Sequence, residues 1–81
     1  KILYFASLRE AVGCSGEELD LPAGVATVGA LRSHLAGRGE GWQALAAGRN
    51  VRAALNQKMA APDTALDGGD EVAFFPPVTG G

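Results

Sequence analysis

The residues best suited to chemistry close the sequence: Phe75, Pro76, Pro77, Val78, Thr79, Gly80 and Gly81. Pro76 and Pro77 lack a backbone N–H, so a strand reaching Phe75 cannot carry its ladder through them. They also hold the chain extended. Val78 to Gly81 then adds a reach of roughly 14 Å at most. Gly80 and Gly81 have no Cβ and can pass a slot that alanine would block. The reactive group of such a tail is the α-carboxylate of Gly81, ionised at neutral pH because its pKa is about 3.5. A carboxylate is a poor electrophile. Once a partner makes it an acyl-adenylate, a sulfur nucleophile can attack and leave a thiocarboxylate. Gly81 would then carry a group without being a catalyst. Two glycines alone say little in a chain with 12 among 81 residues, and fraying is the default at a terminus. The apolar segment and double proline before them make 76–81 read as one extended device.

Other residue types offer less. Cys14 stands alone, which excludes an internal disulfide. With His34 beside it in the inventory, a zinc set is incomplete, and no metal site is expected. His34 falls on the polar side of a helix near its C-terminus, a solvated position. Asp67, Asp70 and Glu71 read as turn formers. The net charge is −2 and the seven basic residues are scattered, so nucleic-acid binding is not expected. The apolar runs Ile2 to Ala6 and Val72 to Phe75 are too short to span a bilayer. No signal-peptide pattern opens the chain, and the single cysteine fits a cytoplasmic location. The start at Lys1 suggests that an initiator methionine is missing from this numbering.

The elements that must position the tail follow from periodicity. Ile2 to Ala6 reads as a strand, apolar at every position. Ser7 and Glu10 have capping-box spacing, and the short helix they would start ends at Gly13. Glu17 to Leu21 alternates as a half-buried strand closed by Pro22. Thr27 is the N-cap of the main helix, with Val28, Leu31 and Leu35 on one face and Gly37 at its end. Trp42, Leu45 and Ala46 suggest a second helical turn stopped by Gly48. Val51 to Leu55 is a strand, Asn56-Gln57-Lys58 a turn into a short piece at Met59, and Asp67 to Asp70 a tight turn before the strand Glu71 to Phe75. The first and last strands are apolar on both faces, as central parallel neighbours are. The expectation is an α+β fold: a single domain, 1–81, whose mixed sheet has these strands side by side and one main helix on one face. Leu3, Phe5, Ala73 and Phe75 then point away from Ile2, Tyr4, Val72 and Phe74. Either the short helices and loops cover the second face, or it is a patch for a protein partner. Phe75, beside the tail, is the candidate partner-facing residue.

DGGDEVAFFPPVTGG closely resembles the end of the molybdopterin synthase small-subunit family, ubiquitin-like sulfur carriers. ILYFASLREAVG, TVGALRSHL and the LNQ at Leu55 to Gln57 resemble the same family in the same order. The likeness covers nearly the whole chain. It departs at Gly68-Gly69, where one glycine is commoner, and is loose from Gly37 to Gly48. The resemblance implies a β-grasp fold with no cofactor of its own. It implies adenylation of Gly81 with ATP by an activating enzyme related to those of ubiquitin, then thiocarboxylation. It further implies sulfur donation to cyclic pyranopterin monophosphate in a pocket of a large synthase subunit that holds the catalytic groups. Two rounds would build the dithiolene, and two carriers would flank a dimer of large subunits in a heterotetramer. Alternatives are a thiamine-pathway sulfur carrier, against which FFPPVT argues, a ubiquitin-like protein modifier conjugated through Gly81, and an interaction module with an idle tail.

Overall fold

The computed structural model describes residues 1–46 and 50–77. Within these, β1 (Ile2–Tyr4), α1 (Ala6–Val12), β2 (Gly16–Glu17), α2 (Val28–Ala36), a 3₁₀ helix over Glu40–Leu45, β3 (Arg52–Leu55), β4 (Lys58–Ala60) and β5 (Val72–Phe75) follow in order. The strands form one mixed sheet ordered β2-β1-β5-β3-β4. β1 and β5 are parallel, pairing Ile2 with Val72, Leu3 with Ala73 and Tyr4 with Phe74. β3 runs antiparallel to β5, setting Ala53 beside Phe74 and Arg52 beside Phe75. The two segments expected at the centre are therefore adjacent and parallel, with β5 in the middle.

α2 forms where its apolar spacing and cap place it. Thr27 Oγ1 accepts from the Ala30 amide at 3.1 Å, satisfying one of the N–H groups left over at a helix start. Val28, Leu31 and Leu35 are buried. Gly37 ends the helix, its N–H bonding to the carbonyls of His34 and Leu35. The start of α2 is tied to the segment before β5: Val28 N–H donates to Thr64 O at 3.0 Å, Gly29 N–H to Pro62 O at 2.7 Å, and Leu66 N–H to Ala26 O at 2.9 Å. A Cβ on Gly29 would stand 2.9 Å from Pro62 O, so this approach requires glycine.

The core joins Ile2, Tyr4, Val72, Phe74 and Ala53 of the sheet to Leu8, Val28, Leu31, Leu35, Leu45 and Leu66. α1 contributes Leu8 and the 3₁₀ helix contributes Leu45, so both lie on the same side of the sheet as α2. Burial of each large apolar side chain is worth roughly 1.5–3 kcal/mol.

Several local expectations are corrected. The first strand stops at Tyr4, not Ala6, and the second spans Gly16–Glu17 where Glu17 to Leu21 was expected. Leu19 and Leu21 still pack against the core, but from a loop. The Ser7–Glu10 capping box does not form. Phe5 is the N-cap, without a side-chain cap bond, and its carbonyl accepts from Leu8 and Arg9. The chain turns earlier, with Ala6 at φ 52, which leaves the Ser7 hydroxyl inside the helix. Gly13 ends α1 in the left-handed conformation at φ 83, as expected. Gly48, read as a helix stop, lies outside the described residues.

Candidate functional site

Phe74 and Phe75 are chain neighbours on opposite faces of β5. Phe74 is fully buried against the helices, stacked on Tyr4 at 6.4 Å between ring centroids. Phe75 is half-buried on the other face. Pro76 and Pro77 follow it outside any strand and are half-buried. Val78, Thr79, Gly80 and Gly81 lie outside the described residues. The structure thus brings Phe75, Pro76 and Pro77 to the end of the central strand.

Strand register defines what lies beside them. Gly16, Leu3, Ala73, Ala54 and Met59 form one row across all five strands, and Arg52 pairs with Phe75 in the next. Phe5 follows Tyr4 beside this row, its N–H bonded to Phe74 O at 3.1 Å. Leu3, Phe5, Ala54, Met59, Ala73 and Phe75 all lie outside the buried cluster. Phe5 is 45% exposed and Met59 65% exposed. Of the two accounts weighed for the second face, the described helices fit the second, since all of them cover the first face. Leu3 lies over Gly16: a Cβ there would meet Leu3 Cδ2 at 3.0 Å and Ile2 O at 2.9 Å. Between Leu3 and Met59 the row is only alanine, so the face is shallow at its centre with larger apolar groups around it. Such a surface suits a protein partner. Ala54, Met59 and Arg52 were missed as members of this face, because their place on it depends on the register of β3 against β5 and β4.

Behind β1 lies a polar cluster not foreseen from sequence. Tyr4 Oη donates to Glu17 Oε2 at 2.9 Å, and Arg38 Nη1 donates to the same oxygen at 2.8 Å. The Arg38 guanidinium lies 4.6 Å over the Trp42 ring, and Trp42 meets Tyr4 edge-on at 5.4 Å. The bond from Arg38 holds the Glu17 carboxyl below the usual carboxylate range, helped by Tyr4 and opposed by burial. Burial, then the bond to Glu17, pushes the Tyr4 phenol well above its ordinary value. Tyr4 and Arg38 both donate to one Glu17 oxygen, and the cluster fastens the 3₁₀ helix to the sheet edge. It braces the frame and has no reactive group on offer. Cys14 is half-buried in the loop after α1, and His34 is exposed on α2.

At the other end of β5, Asp70 accepts from the Asp67 amide at 2.9 Å and from Asn56 Nδ2 at 3.0 Å. Asn56 Oδ1 accepts from the Glu71 amide at 2.9 Å. These bonds hold the Asp70 carboxyl below its ordinary range. They also fix the entry into β5, and with it the register that sends Phe74 inward and Phe75 outward.

A mixed sheet with parallel central β1 and β5 gripping one main helix is the β-grasp, the fold of ubiquitin-like proteins. The chain belongs to the ThiS family, whose sequence profile matches residues 2–81. It is 46% identical to the molybdopterin synthase sulfur carrier subunit of Escherichia coli (strain K12), over 100% of this chain and 98% of that one. It is 40% identical to the same-named subunit of Haemophilus influenzae, over 99% of this chain and 96% of that one. Among solved structures it resembles Haloferax volcanii small archaeal modifier protein 1, with a TM-score of 0.74, 32% identity, and coverage of 95% of this chain and 94% of that one.

Proposed function

We propose that this chain is the sulfur carrier subunit of a molybdopterin synthase, with Gly81 as the carrier position. The observation that carries the reading is full-length identity of 46% to a relative of that name. The central position of β5 supports it, because the tail sequence begins where the most deeply anchored strand ends. In this reading an adenylating enzyme joins the Gly81 carboxylate to AMP with release of pyrophosphate. A sulfur nucleophile then displaces AMP and leaves the thiocarboxylate. The tail next enters the large synthase subunit, which holds the catalytic groups, and its sulfur passes to cyclic pyranopterin monophosphate. Phe75 and its neighbours on the open face meet the partner, and Pro76 to Gly80 line the tail into its pocket. The chain is one domain, works in the cytoplasm and is itself no catalyst. No described helix is long and apolar enough to cross a membrane.

A second reading, conjugation to a target lysine through Gly81, is favoured by the resemblance to a protein named as a modifier. Intact mass after incubation with the activating enzyme, ATP and a sulfur donor separates the two. Exchange of one terminal oxygen for sulfur is the expected result, and mixed higher masses from conjugates would favour the modifier. An unchanged mass would overturn both. Deletion of Gly81 is expected to abolish sulfur transfer with little change in thermal unfolding. Unfolding of that variant would mean that the tail is structural.

A further inference from the structure

At the β3–β4 edge of the sheet, a cavity of about 400 Å3 lies between the start of α2, β3, β4 and the loop at Pro62, and Arg52 and Met59 reach it from the rim of the open face. Its walls are apolar, including Val28, Val51 and Phe74. Its volume exists because Ala53 on β3 and Ala60 on β4 stand where larger side chains would fill the space. It resists collapse for a second reason. The bonds from Val28 to Thr64 and from Gly29 to Pro62 pin the helix start to the loop.

The cavity's charge is of one sign. Two arginines, Arg32 and Arg52, line it, and no carboxylate does so among the described residues. Arg32 is held in place by Nε donating to Leu45 O at 2.6 Å and Nη2 to Ala46 O at 2.8 Å. Arg52 is exposed, and no ion pair engages it among the described residues. An apolar chamber with a cationic rim selects a ligand with an apolar body and an anionic head, because guanidinium groups bind carboxylates strongly and directionally. The volume lies in the range of about 300–1,000 Å3 usual for small-molecule sites. We propose that this cavity binds a small amphiphilic anion, an aliphatic chain ending in a carboxylate, independently of the tail and its chemistry.

Methyl-resolved NMR of the full chain, titrated with octanoate and separately with neutral 1-octanol, tests this. Octanoate is expected to give saturable shifts at the Val28 and Val51 methyls. Arg52→Gln, at an exposed position, should weaken octanoate about tenfold and leave 1-octanol unchanged. Ala60→Leu should fill the chamber and remove both responses while the spectrum stays dispersed. The absence of saturable shifts at those methyls would overturn the proposal. So would shifts centred on Leu3 and Ala73 of the open face, or octanoate binding insensitive to Arg52→Gln.

Discussion

The two faces of β1 and β5 have nearly the same composition and opposite fates. One carries Ile2, Tyr4, Val72 and Phe74, all buried under α1, α2 and the 3₁₀ helix. The other carries Leu3, Phe5, Ala73 and Phe75, all outside that core. Apolar character alone therefore does not decide what is interior. The supply of covering elements decides it, and here every described helix lies on one side. The covered face holds the fold together, and the open face is left without a helix over it among the described residues.

Phe74→Ala tests that division most severely. It removes a fully buried ring, so the expected loss is about 3–5 kcal/mol of unfolding free energy, measured by urea titration. Phe75→Ala, one residue on, should cost about 1 kcal/mol in the same titration. It should weaken association with the large synthase subunit about tenfold in calorimetry, as truncation of an aromatic anchor does. Equal stability losses for the two would break the comparison. Thr27→Ala loosens the covering helix without touching the sheet, and a lost cap costs about 1 kcal/mol. Its effect should appear in thermal melts while affinity for the partner stays unchanged.

The smallest effect is a pH dependence confined to the edge of the covered side. Glu17 has its carboxyl lowered in the fold from an ordinary 4.5. Its contribution is thus present above that pH and lost as pH falls through the lowered value. The Tyr4 phenol is raised from 10.0, so its contribution is present below that pH and fades as pH rises beyond it. Melting temperature against pH should fall at both ends, and Glu17→Gln should flatten the acid limb. An unchanged acid limb in that variant would show that the bonds from Arg38 and Tyr4 do not stabilise the fold.

The sequence carried the frame better than its joints. Val28, Leu31 and Leu35 with Thr27 before them located α2, since cap and periodicity agree there. The doubly apolar first and last segments gave the parallel centre, because such strands are typical of central parallel neighbours, even though one face here stays open. The Ser7–Glu10 pair misled because capping spacing is a local preference. The pairing of Phe5 N–H with Phe74 O set the turn earlier. The Tyr4–Glu17–Arg38–Trp42 cluster was out of reach for another reason. Its members lie up to 38 positions apart in the chain and meet only after the sheet and helices have packed. For the candidate site, the sequence could place Phe75 opposite Phe74 by alternation. It could not show that Ala54 and Met59 extend the same face, which depends on the register of β3 against β5 and β4.

The parallel pairing of β1 with β5 also has a mechanical side. Traction on residues 76–81 along the strand axis, with the body held through β1, acts as shear on the hydrogen bonds between these strands. Bonds in shear must yield together, whereas bonds at a hairpin end open one after another. A partner that draws the last six residues into a narrow channel thus pulls against the stiffest direction of the sheet, and the carrier can be tugged without being unzipped.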